Sequence, residues 1–123
     1  MRNYSFEGLE VYNKARELTV LVYSIVDKLP KKEEYALSSQ IRRSIVSVPS
    51  NIAEQSGRFS SKEKIRFIEI AYGSLMETYC QLQIAIDLNY ISPEELENIK
   101  PLFHLISAQL SGLKNSFSKH LPK

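Results

Sequence analysis

Two glutamates are the side chains of this sequence best placed for acid–base chemistry. Glu54 and Glu77 each lie close to the apolar positions of a helical segment, so we expect both to point inward, where paired carboxylates could exchange protons with a substrate. The sequence places neither a histidine nor a polar pocket beside them, and structural hydrogen bonds are therefore the favoured interpretation. An enzyme built on this pair would need both carboxylates to open onto a water-filled pocket.

Other reactive groups are too scattered to form a site. The two histidines, His104 and His120, lack metal-ligand spacing, and no Glu-x-x-His pair of the di-iron bundles is present. No glycine-rich phosphate loop occurs, and Gly73 and Ser74 lie within a helical segment, where the glycine is expected to allow close helix approach. These features predict a protein that is not an enzyme and has no metal and no cofactor. The single cysteine, Cys80, indicates a reducing compartment, the cytoplasm.

Composition favours one soluble domain over residues 1–123. The chain has 16 Lys plus Arg and 14 Asp plus Glu, a net charge of +2. The longest nearly apolar run, residues 18–26, is far shorter than the roughly 20 residues that cross a bilayer. Glu7 and Glu10 interrupt the region where a secretory signal would be apolar. We therefore expect no membrane partner and no export.

Periodicity predicts an all-α protein with four helices. Apolar residues recur at steps of three and four in four segments, which places helices at about 6–29, 33–56, 61–89 and 93–118. Ser60 with Glu63, and Ser92 with Glu95, form capping boxes at the third and fourth helix starts. Gly57 is expected to end the second helix in a left-handed conformation. The short connections favour an antiparallel up-down-up-down four-helix bundle.

Prolines are expected to distort two of these helices without dividing them. Pro49 lies within the second helix, where a missing backbone donor predicts a kink. Pro101 predicts a bend in the first turns of the fourth helix.

The helices carry more apolar surface than a single four-helix bundle can bury. No charged residue lies between Glu17 and Asp27, and the third helix has apolar residues outside its main stripe: Phe67, Ile70, Met76, Cys80, Ile84 and Leu88. Large apolar patches usually mark association surfaces, so burial against further copies of the chain is expected. The alternative is a wide core with scattered exposed side chains.

Charge is distributed unevenly along the predicted bundle. An antiparallel arrangement brings the turn between the second and third helices to the same end as the C-terminus. We call this the basic end and define it by six residues, Arg58, Lys62, Lys64, Arg66, Lys114 and Lys119, with Lys123 nearby in sequence. The opposite end carries Asp87, Glu94, Glu95 and Glu97. The basic end could neutralise phosphates, which makes RNA or DNA a candidate partner, while ordinary solvation of surface lysines is the alternative.

Four sequence blocks carry a family resemblance. They are Phe6-Glu7-x-Leu9-Glu10-Val11, Gln40-Ile41-Arg42-Arg43-Ser44, Ser47-Val48-Pro49-x-Asn51-Ile52-Ala53-Glu54 and Ala71-Tyr72-Gly73-Ser74-Leu75-x-Glu77. Over nearly the whole chain the sequence resembles the bacterial four-helix-bundle proteins encoded in intervening sequences of the 23S ribosomal RNA gene. It departs from them at Gln55, where glycine is usual, and at Tyr12, where tryptophan is common.

The resemblance implies a left-handed bundle that assembles as a homopentamer with a central channel. It also implies similarity to the accessory protein of diversity-generating retroelements, a basic pentameric bundle that binds nucleic acid and a reverse transcriptase. Five residues match the family motif and are expected to form polar bonds between the second and third helices or across subunits: Asn51, Glu54, Gly73, Ser74 and Glu77. The leading hypothesis is an oligomer that binds RNA or DNA without sequence specificity. The alternative is a scaffold whose ligands are proteins only, its own copies or a partner enzyme.

Overall fold

The protein is built from four long helices. The structure, a computed structural model, describes residues 4–122. The helices are α1 (Glu10–Val26), α2 (Leu37–Ser56), α3 (Ser61–Asp87) and α4 (Pro93–Ser118), with short 3-10 segments at Ser5–Gly8 and Lys31–Glu33. Residues 4–122 contain no β-strand, which confirms the all-helical prediction. None of the helices within that range is long and apolar enough to cross a membrane.

The first two helices are shorter than predicted. Leu9 is extended, with φ −78° and ψ 126°, and this separates the 3-10 segment Ser5–Gly8 from α1. The predicted helix at about 6–29 is therefore wrong at both ends, since α1 also stops at Val26. Before α2, the 3-10 segment Lys31–Glu33 and a turn occupy the predicted first residues, so the start at about residue 33 is wrong too.

Caps explain where the later helices begin and end. Ser60 Oγ accepts a hydrogen bond from the Glu63 amide at 3.1 Å, and the Ser92 amide donates to Glu95 Oε2 at 2.9 Å. Gly57 has φ −87°, so the predicted left-handed conformation at this residue is wrong. The left-handed residue is Asn89, with φ 63°, and it allows the chain to turn sharply between α3 and α4. α3 accordingly ends at Asp87 and not at about 89.

A single apolar core joins the four helices. Its fully enclosed side chains come from every helix: Leu18, Val22, Ile41, Ile45, Val48, Ile52, Ile68, Leu75, Leu82, Ile106 and Leu110. α2 and α3 share the most extensive contact. Pro49 and Pro101 lie inside continuous helices, so neither divides its helix; the predicted kink and bend stay predictions.

Candidate nucleic-acid interface

Contacts between helix ends bring the residues of the basic end together. Lys64 Nζ donates to the Gln55 carbonyl at 3.2 Å and lies 5.7 Å from the centre of the Phe117 ring, so it links α3 to both α2 and α4. Lys114 Nζ lies 3.0 Å from Glu69 Oε2, which is a second link between α4 and α3. The C-terminal part of α4 therefore lies beside the first turns of α3.

Half of these cations are paired with carboxylates. Arg58 pairs with Glu54 at 2.5 Å, Arg66 with Glu63 at 3.7 Å, and Lys114 with Glu69 at 3.0 Å. None of the three carboxylates was counted in the sequence-based definition of the basic end. The six basic residues and three carboxylates together carry +3. All three pairs are substantially exposed, so each contributes little to stability and can exchange its carboxylate for a phosphate.

Two of the three remaining cations face water. Lys62 and Lys119 are exposed and make no ion pair within residues 4–122. Lys62 lines a shallow groove of about 230 Å³ together with Arg66 and Leu121. Lys123 lies outside the described residues.

Phe67 orients two of the guanidinium groups. The Arg58 guanidinium carbon lies 4.6 Å from the centre of the Phe67 ring, and that of Arg66 lies at 5.7 Å. Such cation–π contacts hold the planar groups against the ring and leave their edges, which now contact Glu54 and Glu63, able to bind other anions. From the sequence, Phe67 was expected only to add to the excess apolar surface. Its spacing from Arg66 was visible, but its approach to Arg58 depends on how α2 and α3 pack.

Ser74 is the motif residue that makes a polar bond between helices. Its hydroxyl lies 2.8 Å from that of Ser47, which joins α3 to α2. Asn51 donates to the Ser47 carbonyl at 2.7 Å and to the Ser47 hydroxyl at 2.9 Å, within α2. Gly73 has nothing within 4 Å of the position of a Cβ atom. The expectation that this glycine permits close helix approach is therefore wrong for this chain.

Neither motif carboxylate points into the core. Glu54 is exposed and pairs with Arg58, and Glu77 is exposed on α3. The prediction that both point inward is wrong, because each lies on the outer flank of its helix. Glu77 borders an open polar groove of about 260 Å³ between α2 and α3, which is lined by Gln40, Arg43, Ser44, Ser47, Ser74, Glu77 and Gln81.

A buried polar cluster at this groove was not predicted from the sequence. Ser44 Oγ lies 2.7 Å from Thr78 Oγ1 and donates to Gln81 Oε1 at 2.9 Å. Thr78 Oγ1 also lies 2.8 Å from the Ser74 carbonyl, which it can reach as a donor. Because Ser44, Thr78 and Gln81 are all buried, these bonds satisfy polar atoms that would otherwise be costly, and they fix the register of α2 against α3.

The opposite end of the bundle, which carries the acidic residues 87–97, is also partly neutralised. Lys28 pairs with Glu95, and Lys100 lies 3.8 Å from Glu97. The Lys28 ammonium, followed by the Ser92 amide, holds the pKa of the Glu95 carboxyl below its usual value. No group of three or more His, Cys, Asp or Glu residues within the described range could hold a metal ion.

Both the sequence and the structure match known proteins. The profile of the 23S rRNA-intervening sequence protein family matches residues 7–112. The chain belongs to this family. A crystal structure of an S23 ribosomal protein family member of unknown function from Bacteroides thetaiotaomicron is similar to the chain, with 28% sequence identity and a TM-score of 0.77 over 85% of this chain and 97% of that one. No curated protein matches the sequence.

The family match covers four of the six residues of the basic end and all five motif residues. Residues 7–112 of the chain include Arg58, Lys62, Lys64 and Arg66 and all five motif positions. Lys114 and Lys119 lie beyond the matched range.

Proposed function

We propose that the protein is a non-enzymatic homo-oligomer that binds RNA or DNA through its basic end. The observation that carries the proposal is the contact of α4 with the start of α3, through Lys64 with Phe117 and Lys114 with Glu69. These contacts gather six cations from separate parts of the chain into one region. The acidic residues at 87–97 lie at the turn between α3 and α4 and not at the basic end, so a polyanion is attracted to one region of the surface.

The binding chemistry is phosphate neutralisation. Lys62 and Lys119 are exposed and make no ion pair with any described residue. Arg58 and Arg66 present guanidinium edges that can bind a phosphate oxygen with two hydrogen bonds. Contacts of this kind release counterions and do not read sequence, so affinity falls with salt and varies little among sequences.

The proposed arrangement is the antiparallel up-down-up-down bundle. The order of contacts between α2 and α3 supports it: Gln55 contacts Lys64, Ser47 contacts Ser74, and Ser44 contacts Thr78. Residue numbers fall along α2 as they rise along α3, as expected for neighbours of opposite direction.

Self-association is the second part of the proposal. Val20 is 67% exposed in the uncharged stretch of α1, Ile84 of α3 is 41% exposed, and Leu88, the residue that follows α3, is 49% exposed. Covering such side chains with further copies removes apolar surface from water. The pentamer comes from the family resemblance alone. A cytoplasmic location is also part of the proposal, and the lone Cys80 supports it.

Charge reversal tests the nucleic-acid interface. Lys62→Glu with Arg66→Glu should weaken binding to every oligonucleotide, because both side chains are exposed at the basic end. If each cation binds one phosphate, the slope of log affinity against log salt falls by about 1.4 for single strands. Lys31→Glu with Lys32→Glu makes the same charge change in the exposed 3-10 segment Lys31–Glu33 and is the matched control. Equal binding by both variants and the parent would overturn the assignment.

A protein-only scaffold is the second candidate, favoured by the exposed Val20, Ile84 and Leu88. Filter binding at low and moderate salt separates the two functions. Retention of labelled oligonucleotide at low salt supports the proposed function. An assembled protein that retains none even at low salt supports the scaffold.

A further inference from the structure

The turn between α2 and α3 carries a fully exposed aromatic ring. Phe59 has a relative exposure of 102%, more than any other large apolar side chain of residues 4–122. It follows Gly57 and Arg58 at the end of α2 and precedes Ser60, which caps α3. The fold gains nothing from this phenylalanine, because an aromatic ring contributes to stability only where it leaves water.

The surroundings of this ring are positively charged. Arg58 precedes it, and Lys62 lies in the first turn of α3, where backbone N–H groups also favour anions. Arg58 turns back to contact Phe67 and Glu54, so its position beside the turn is fixed. A flat apolar ring with cations on both sides of it in the sequence suits a ligand that combines flat apolar groups with phosphates.

A second exposed aromatic has different neighbours. Tyr35 is 96% exposed before α2. Glu33 and Glu34 precede it, and Arg42 pairs with Glu34 at 2.9 Å. Arg42 and Arg43 line the same groove as Tyr35, but the two residues directly before the ring are carboxylates, which repel phosphates, whereas Phe59 directly follows Arg58.

We propose that Phe59 stacks on an unpaired base of single-stranded RNA or DNA while Arg58 and Lys62 bind the adjacent phosphates. The inference rests on the proposed function and narrows it to single strands. Bases in a duplex already stack on each other, whereas an unpaired base exposes a face that an aromatic side chain can cover. Stacking tolerates any base, which agrees with binding that does not read sequence.

Affinity measurements on three forms of the full chain test the stacking. Phe59→Ala should weaken binding of a 20-nucleotide single-stranded oligonucleotide by about 5- to 150-fold, the range for loss of one stacked base. Phe59→Tyr keeps the ring and should bind like the parent. A duplex of the same length should bind Phe59→Ala and parent equally. An effect of the same size on duplex and single strand would overturn the proposal.

A fluorescent reporter gives an independent readout. The chain has no tryptophan, so Phe59→Trp introduces a single indole at the tip of the turn. Single-stranded oligonucleotide should quench its fluorescence, because a stacked base contacts the indole directly, whereas an abasic oligonucleotide of equal charge should not. Tyr35→Trp is the matched control and should not be quenched by either. Equal quenching of the Phe59→Trp protein by both oligonucleotides would contradict stacking.

The outcomes separate this inference from the proposed function. If the Lys62→Glu with Arg66→Glu variant loses binding but Phe59→Ala does not, the basic end stands and stacking is overturned. If the parent binds no oligonucleotide at low salt, the proposed function itself fails. A lower solution mass for Phe59→Ala would show that another copy covers the ring, and this result also overturns the inference.

Discussion

Replacing Val20 by aspartate should dissociate the assembly without unfolding the chain. Val20 lies at the middle of α1 and is 67% exposed, more than Leu21 at 39% or Tyr23 at 37% on the same helix. A carboxylate at such a site changes the stability of a single folded chain by no more than about 0.5 kcal/mol. A larger effect of the aspartate is expected only if a second copy of the chain covers position 20.

The expected effect on assembly follows from the exposed area. Complete burial of a valine side chain contributes about 1.5–3 kcal/mol, so covering the exposed two-thirds of Val20 contributes roughly 1–2 kcal/mol in each subunit. An unpaired buried carboxylate costs several kcal/mol more. Since about 1.4 kcal/mol is a factor of ten in an equilibrium constant, association should weaken by at least roughly tenfold for each subunit.

Light scattering across a dilution series measures this effect, with circular dichroism as the check on folding. Asn98→Asp introduces the same side chain at an exposed position of α4 and serves as the control. The expected result is a concentration-dependent loss of mass for Val20→Asp, helical content equal to that of the parent, and no change for Asn98→Asp. If Val20→Asp keeps the mass and dilution behaviour of an assembled parent, the α1 face is not an interface.

Three further substitutions test the fold. Thr78→Val removes the buried bond to Ser44 and should lower the free energy of unfolding by about 1–2 kcal/mol, seen as a lower urea midpoint at fixed protein concentration. Glu95→Gln should make the free energy of unfolding depend less on pH in the acid range. The Lys28 ammonium lowers the pKa of the Glu95 carboxyl, so the parent loses this stabilisation as the pH falls through the lowered pKa. The variant lacks the carboxylate and therefore has no such stabilisation to lose. Asn89→Ala should cost about 1 kcal/mol in thermal or urea unfolding because φ is 63°, and Asn89→Gly should be about neutral.

Each of these predictions has a contradicting result. A Thr78→Val protein as stable as the parent would show that the buried hydroxyl bonds contribute nothing. For Glu95→Gln, the exposed Glu94→Gln exchange in the same turn is the matched control; an acid dependence of stability unchanged from the parent in Glu95→Gln would refute the role of the ion pair. Equal stability of Asn89→Ala and Asn89→Gly would mean that the left-handed backbone is not strained.

Local sequence signals located most of the helices. The serines at 60 and 92 mark the starts of α3 and α4 because their capping bonds join residues only three positions apart. The break in the helix at Leu9 follows Gly8, and glycine is unfavourable inside helices. The predicted helix relied on the apolar pattern and did not use this residue. The prediction of a left-handed residue considered the glycine at position 57 only, although asparagine, here Asn89, also tolerates positive φ.

The site was harder to predict because its contacts join distant parts of the chain. The pair between Lys114 and Glu69 spans 45 residues and depends on how α4 packs on α3. The prediction that Glu77 points inward was wrong because the apolar stripe gives the direction of a helix face only approximately. A residue at the edge of the stripe can point to the core or to water, and Glu77 is exposed. The cluster of cations and the four-residue spacing of Glu54 and Arg58 were visible in the sequence, whereas the neutralisation of Lys114 by Glu69 was not.

The mass of the unmodified protein in solution tests the central claim most directly. Multi-angle light scattering at micromolar concentration should give a multiple of the 14.1 kDa chain, five copies if the pentamer implied by the family resemblance holds. A well-folded species of one chain at that concentration would contradict the account, because the exposed apolar residues of α1 and α3 would then need no covering partner.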